Sequence, residues 1–141
     1  MQRQSRTFKL RLSPAGMDLL IDSHCHLIRS TRALIAWGTT LLVAVDHLDT
    51  VTPGTVIEQL AGLPDAGLAG DLEHYLGAPK TLNITATRIA ERIARTAPER
   101  DPPTLSNIYI VALQLLARTD HDTLRSIYAR ARLHGARLVE A

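Results

Sequence analysis

Two histidines and a cysteine lie together in the first third of the chain, and all three are residue types that bind metal ions. His24 and His26 flank Cys25 within the segment Leu20–Leu27. A pair of imidazoles can hold a divalent metal that activates water, which is the chemistry of metal-dependent hydrolysis. The apolar residues around the pair recur at helical spacing, however, and on a helix the two histidines point about 200° apart. The pattern therefore favours histidines on a helix surface over a metal site.

The same segment resembles the start of TatD-type metal-dependent hydrolases, in which a strand ends in a His-x-His metal pair. That resemblance implies a barrel of roughly 200 residues or more, whereas only about 115 residues follow the motif. The other histidines are scattered, and no base is marked that would activate Cys25 as a nucleophile. A hydrolase remains the third alternative, and we expect no enzymatic activity, no catalytic residue and no metal or other cofactor.

Composition indicates a globular protein with an aliphatic core. Hydrophobic residues make up 45% of the chain, charged residues 21% and aromatic residues 4%. No apolar run reaches the roughly 18 residues that a membrane helix needs. The charged N-terminus leads into no hydrophobic signal segment, and the single cysteine cannot form an internal disulfide. We expect a cytoplasmic protein that does not associate with membranes.

Charge is distributed unevenly along the chain, although the net charge is only +2. No lysine or arginine occurs between Arg32 and Lys80, and this gap contains six acidic residues. The first 32 residues are basic, with six lysines and arginines against Asp18 and Asp22. A fold that displays the ends of the chain on one side would have a basic face, which favours a nucleic-acid partner.

The elements that would position such a face begin with a strand. Phe8–Ser13 alternates between apolar and polar residues, which predicts a half-buried strand. Ser13 is predicted to cap a helix that has Pro14 at its first position. Apolar residues from Met17 to Leu27 then recur at helical spacing and predict about four turns.

A second helix is predicted to follow after a short break. Ser30 or Thr31 is the expected N-cap, and the apolar pattern continues to Val45. Gly38 within this helix would allow another backbone to approach closely.

The strand and both helices recur in the second half of the chain. Thr81–Thr85 alternates like the first strand, and Thr104 is predicted to cap the helix that corresponds to the second helix. An offset of 72 residues places Leu82 on Leu10, and an offset of 74 superposes the second helices. The difference of two is an insertion in the loop between the helices, where insertions are tolerated.

Residues outside the two copies are predicted to be mainly helical. Pro53–Gly62 and Leu68–Leu76 are expected to form short helices, and Asp120 or Asp122 is expected to begin a C-terminal helix that carries several arginines. The resulting order is a flexible basic arm (1–6), the first copy (7–45), an acidic helical linker (46–79), the second copy (80–117) and the C-terminal helix (118–141).

The strand–helix–helix copies resemble the ribbon-helix-helix family of MetJ and Arc type. A chain that carries both copies is similar in architecture to the TraY-like relaxosome accessory proteins of conjugative plasmids. The resemblance implies a mainly α fold with a short two-stranded antiparallel β-ribbon, in which tandem copies form a pseudo-dimer. It also implies sequence-specific binding of double-stranded DNA, with the ribbon in the major groove.

In this family the outward residues of the ribbon contact bases, and the N-terminus of each second helix contacts a phosphate. The expected base contacts are Thr7, Lys9, Arg11, Thr81, Asn83 and Thr85. The expected phosphate contacts are Arg3, Arg6, Ser30, Thr31, Arg32, Thr104, Leu105 and Ser106.

The biological role implied is plasmid transfer or partition, or transcriptional repression. The expected partners are double-stranded DNA, a relaxase or other plasmid-encoded protein, and further copies of the chain on DNA. The alternative is a helical protein-interaction module that does not bind DNA. A DNA-binding protein should bind a duplex of random sequence with an affinity that falls as salt is added, whereas the interaction module should not bind it.

Overall fold

The computed structural model describes the backbone of residues 5–140 and the side chains of residues 7–133. Within these ranges the chain is mainly helical and has a two-stranded antiparallel sheet, which confirms the fold class at this level. The elements in chain order are β1 (Ser5–Leu12), α1 (Pro14–Thr31), α2 (Trp37–Leu48), α3 (Pro53–Ala66), β2 (Leu72–Pro79), α4 (Thr81–Thr96), α5 (Leu105–Arg118) and α6 (His121–Glu140).

β1 and β2 form a ribbon in which the two strands pair along their full length. Phe8 lies opposite Leu76, and Arg11 lies opposite Glu73. Successive side chains of a strand point to opposite faces. Leu10 and Leu12 are buried on the inner face, and the other face is exposed. The alternation around Phe8–Ser13 therefore predicted the first strand correctly.

The predicted second strand is wrong. Thr81–Thr85 begins α4, because Leu82 and Ala86 are buried at helical spacing along with later residues of the same helix. The helix predicted over Leu68–Leu76 is also wrong. Residues from Leu72 onward form β2, in which Ala78 is buried and Leu76 is partly buried against the core.

The second helix of the first half starts later than predicted. α1 continues through Ser30 and Thr31, whose hydroxyls donate to the carbonyls of His26 and Leu27 one turn earlier. Both residues belong to the last turn of α1, so neither is the N-cap of the next helix. Arg32 ends α1 in the left-handed conformation, with φ 57°, and α2 begins at Trp37.

Other helix starts agree with the predictions. The hydroxyl of Ser13 accepts a hydrogen bond from the amide of Gly16 at 3.0 Å. The hydroxyl of Thr104 accepts one from the amide of Asn107 at 3.1 Å. Both are N-caps that satisfy amides left free in the first turn, and Asp120 caps α6 in the same way.

The core is centred on α2 and α5, which pack against each other along their lengths. Leu41, Val43 and Leu113 are fully buried there, together with most of the apolar residues of both helices. Each such side chain contributes about 2 kcal/mol relative to an exposed position. α1, α4 and α6 pack around this pair, and the inner face of the ribbon covers one side.

Gly38 fixes the position of the ribbon on α2. A Cβ atom at this residue would lie 1.8 Å from the carbonyl oxygen of Gly77 and 2.7 Å from the Cα of Ala78. The first turn of α2 therefore rests directly on the backbone of β2, and only glycine fits. The close approach expected at Gly38 is confirmed.

Candidate nucleic-acid interface

The exposed side of the ribbon brings together six residues from the two strands. β1 contributes Thr7, Lys9 and Arg11, and β2 contributes Glu73, Tyr75 and Gly77. We call these six residues the outer ribbon face. All six are exposed, and the side chain of Tyr75 is among the most exposed large groups in the described part of the chain.

The carboxylate of Glu73 connects the charged side chains of the outer ribbon face. It lies 3.0 Å from a guanidinium nitrogen of Arg11 and 3.8 Å from the ammonium of Lys9. The hydroxyl of Tyr75 donates to its second oxygen at 3.0 Å. The face thus carries two cations, one anion and one phenol within a single network.

The network shifts two pKa values in opposite directions. The hydrogen bond from Tyr75, followed by the charges of Lys9 and Arg11, lowers the pKa of Glu73. The same hydrogen bond and the negative charge of Glu73 raise the pKa of Tyr75. At neutral pH, Glu73 is therefore an anion and Tyr75 a hydrogen-bond donor.

Of the predicted base-contact residues, one half lies together on the outer ribbon face and the other half lies away from it. Thr7, Lys9 and Arg11 share the outer ribbon face, as predicted. Thr81, Asn83 and Thr85 lie on α4 instead, and Thr85 is only 2% exposed. They cannot line the ribbon, because the strand that pairs with β1 ends at Pro79.

Sequence reasoning missed the β2 residues Glu73, Tyr75 and Gly77. The sequence carried only an ambiguous signal, since Leu72, Leu76 and Ala78 lie at even spacing, but Leu68, Leu72 and Leu76 also fit one face of a helix. The register adds that Tyr75 lies opposite Lys9.

The predicted phosphate contacts divide in the same way. Thr104, Leu105 and Ser106 lie at the start of α5, where amides of the first turn can bind an anion. Ser30 and Thr31 lie at the end of α1, so they cannot supply such amides. Arg32 is exposed just after them.

The basic arm cannot be placed in this arrangement. Arg3 lies outside the described residues, as does the side chain of Arg6.

A second basic surface lies where the end of α1 meets the start of α6. A cleft of about 820 Å³ is lined by Arg29, Ser30, Arg32, Asp120, His121, Asp122 and Arg125. Ser30 donates its single proton to the carbonyl of His26 at 2.8 Å, so His121 Nδ1 must donate to the Ser30 oxygen at 2.6 Å. Ser30 is therefore not activated as a nucleophile.

The two histidines of the His-x-His segment have separate roles in packing. The His24 ring stacks on Trp37 at 3.8 Å between ring centres, and its Nδ1 contacts the Thr40 hydroxyl at 2.7 Å. Burial lowers the pKa of His24. His26 Nε2 instead contacts the carbonyl of Thr119 at 2.6 Å. Over the described residues, no group of three or more His, Cys, Asp or Glu is placed to hold a metal ion.

Comparisons with protein families, curated proteins and solved structures give no match. None of the helices within the described residues combines the length and apolar character required to cross a membrane.

Proposed function

We propose that this chain binds double-stranded DNA by inserting the outer ribbon face into the major groove. The observation that carries the proposal is an exposed two-stranded ribbon, supported by helices, whose first strand presents Thr7, Lys9 and Arg11 side by side. A two-stranded ribbon has the width of the major groove, where each base pair displays its own pattern of donors and acceptors. In this proposal the molecule is a tandem ribbon-helix-helix pseudo-dimer.

Burial patterns of the two halves support an internal repeat. An offset of 66 relates buried Leu20 to buried Ala86 and buried Leu27 to buried Ile93. An offset of 68 relates the continuous buried run of α2 to that of α5: Thr40–Val45 and Leu48 correspond to Ile108–Leu113 and Leu116. These offsets of 66 and 68 residues are shorter than the 72 and 74 predicted from the sequence. The difference of two residues between the first and second helices is the same in both alignments.

Packing between the halves also supports a pseudo-dimer. α2 of the first half packs on β2 of the second half through Gly38. Phe8 of β1 makes an edge-on contact with the ring of Tyr109 in α5, with 6.5 Å between centres. Each strand is thus held by a helix of the other half. Neither half could bury its strand and helices alone, which is the property that makes ribbon-helix-helix proteins dimeric.

Arg11 is the leading candidate for a specific base contact. Its guanidinium can donate to both acceptors of guanine, O6 and N7, in the major groove. Lys9 supplies a second donor, and Thr7 supplies a hydroxyl that suits several bases. The amides at the start of α5, beside Thr104, are candidates for phosphate binding that fixes the register of the protein on DNA.

The roles that follow are those of a sequence-specific DNA-binding protein. Plasmid transfer, plasmid partition and transcriptional repression all use such proteins, with a relaxase, another plasmid-encoded protein or further copies as partners. Lys9 and Arg11 both lie on β1, so only one strand of the ribbon supplies cations. The proposed DNA site is therefore asymmetric.

Fluorescence anisotropy with a random-sequence duplex of about 20 base pairs tests the proposal. The wild type should bind at about 50 mM salt, and its affinity should fall steeply as the salt concentration rises. Lysine and arginine side chains displace cations condensed on the DNA when they bind, and added salt opposes that release. The double variant Lys9→Ala/Arg11→Ala should have a salt slope that is shallower by about two units. Arg95→Ala/Arg118→Ala is the control, since it removes two exposed arginines from helix ends. Absence of binding at low salt, or equal effects of both double variants, would refute the proposal.

One observation favours the second candidate, a protein-interaction module. The connection between α1 and α2 presents Leu34, which is 100% exposed, next to Trp37, which is 41% exposed. This role predicts partner binding that does not change when Lys9 and Arg11 are replaced.

A further inference from the structure

Glu73 occupies a central position on the outer ribbon face. It lies directly opposite Arg11 in the register of the two strands. One oxygen contacts both Arg11 and Lys9, at 3.0 and 3.8 Å, and the other accepts the Tyr75 hydroxyl. The three longest side chains around it are therefore gathered on a single carboxylate.

These contacts do not serve the core. The side chain of Glu73 is 38% exposed and projects from the face opposite to the buried Leu10 and Leu12. Exposed ion pairs of this kind add little to folding stability. A glutamine at this position has the same size and can still accept the Tyr75 hydrogen bond.

We infer that Glu73 determines DNA specificity by competing with DNA for Arg11 and Lys9. The inference rests on the proposed DNA-binding function. On an arbitrary sequence, transferring Arg11 to DNA leaves the Glu73 carboxylate without its partner in a groove lined by phosphates. That loss lowers affinity for non-specific DNA.

In the recognised DNA sequence, a base replaces the ion-pair partner that Glu73 loses when Arg11 binds DNA. A carboxylate can accept a hydrogen bond from the N4 amino group of cytosine, while an arginine donates to guanine O6 and N7. Because Arg11 and Glu73 face each other across the ribbon, they can address bases on the two DNA strands at adjacent positions. The ligand expected is a site in which guanine and cytosine lie within reach of this pair.

The test compares Glu73→Gln with a matched control, Glu91→Gln. Both changes add one unit to the net charge, and Glu91 is an exposed residue of α4. The probes are a random-sequence duplex and a duplex selected by the wild-type protein from a random pool. Thermal unfolding of each variant confirms that the fold is retained.

Glu73→Gln should bind the random duplex about fivefold more tightly than the wild type, because two cations lose their competitor. Its salt slope should be steeper by about one unit, as for one added phosphate contact. Affinity for the selected duplex should not rise in proportion, so the ratio of specific to non-specific affinity falls. Glu91→Gln should change both affinities by less than about twofold and leave the ratio unchanged.

The outcomes separate the two proposals. If the wild type binds duplex but the two variants behave alike, the role of Glu73 is wrong and DNA binding stands. A weaker binding of random duplex by Glu73→Gln would also overturn the competition. If neither the wild type nor Glu73→Gln binds duplex, the proposed function itself fails, and this inference fails with it.

Discussion

The two strands of the ribbon have the same backbone geometry but opposite chemistry. At corresponding positions β1 presents Thr7, Lys9 and Arg11, and β2 presents Glu73, Tyr75 and Gly77. β1 therefore supplies the cations and β2 supplies the group that holds them. Two strands of one ribbon can therefore differ in charge, and under the proposed function β1 would attract DNA while β2 would restrain that attraction.

A second difference lies beneath the ribbon. Gly38 in α2 corresponds to Ser106 in α5 when the buried runs of the two helices are aligned. Gly38 touches the backbone of β2. The buried hydroxyl of Ser106 finds no hydrogen-bond partner among the described residues. The first turn of α2 therefore packs directly on the backbone of the opposite half's strand, whereas α5 carries a buried, unpartnered hydroxyl at the corresponding position.

The largest expected effect concerns this pair. Gly38→Ala should destabilise the protein by about 3 kcal/mol, because the new methyl group collides with backbone atoms that cannot yield. Ser106→Ala should stabilise it by about 1 kcal/mol, because it removes a buried polar group without a partner. Urea unfolding of both variants gives the two values. Equal effects would show that the halves are packed alike.

A smaller effect is expected at the proposed DNA contacts of the two strands. Arg11→Ala should weaken binding to the selected duplex by about 10- to 100-fold, because a base contact in the major groove is lost. Tyr75→Ala, on the opposite strand, should weaken binding by less than about fivefold. Anisotropy titrations at one salt concentration provide the comparison. A larger loss for Tyr75→Ala would place the main contact on β2 instead.

Tyr75→Phe isolates the hydrogen bond to Glu73 and keeps the ring. Removing the hydroxyl group leaves one carboxylate oxygen of Glu73 without a hydrogen bond. The ion pairs of Glu73 with Arg11 and Lys9 should therefore become stronger. We expect random duplex to bind about twofold more weakly, opposite in direction to Glu73→Gln. The same titrations measure it, and tighter binding by Tyr75→Phe would contradict the competition.

The smallest effect is a pH dependence to which the buried His24 of the first half contributes. Burial lowers the pKa of His24 below its ordinary value of 6.5, and the corresponding residue of the second half is Ala90. The unfolded chain binds the proton more readily than the folded protein does. The contribution of His24 to the free energy of unfolding is therefore fully present above pH 6.5. It falls as the pH drops from 6.5 toward the lowered pKa in the folded protein and then levels off.

His24→Asn should flatten part of this dependence in urea unfolding between pH 7 and pH 5. His47, whose pKa is lowered by burial and then by Arg130, accounts for part of the remaining slope. Parallel curves for the wild type and His24→Asn would show that His24 does not contribute.

Local pattern alone predicted β1 and much of the helical framework. Ser13 and Thr104 each precede a periodic apolar segment, and both are N-caps in the structure. Gly38 was also identified correctly as a point of close approach. The strand and the caps depend on residues near in sequence, so they can be predicted without knowing the partners, whereas the backbone that approaches Gly38 could not be named.

The second strand depended on partners that the sequence does not reveal. Leu68, Leu72 and Leu76 are spaced like one face of a helix, although the last two belong to β2. Thr81–Thr85 alternates like a strand, but Leu82 has its buried neighbours at helical spacing. Pairing with β1 and packing on α2 decide between these patterns. For the same reason Glu73 and Tyr75 could not be placed opposite Arg11 and Lys9 from the sequence.

The measurement that tests the central proposal most directly is an NMR titration of the labelled protein with the selected duplex. Backbone amides report which surface meets DNA, residue by residue. We expect the largest shifts in residues 7–11 and 73–77, with smaller shifts at the start of α5, and little change along α3. Large shifts confined to the cleft between α1 and α6, with residues 7–11 unchanged, would contradict binding through the outer ribbon face.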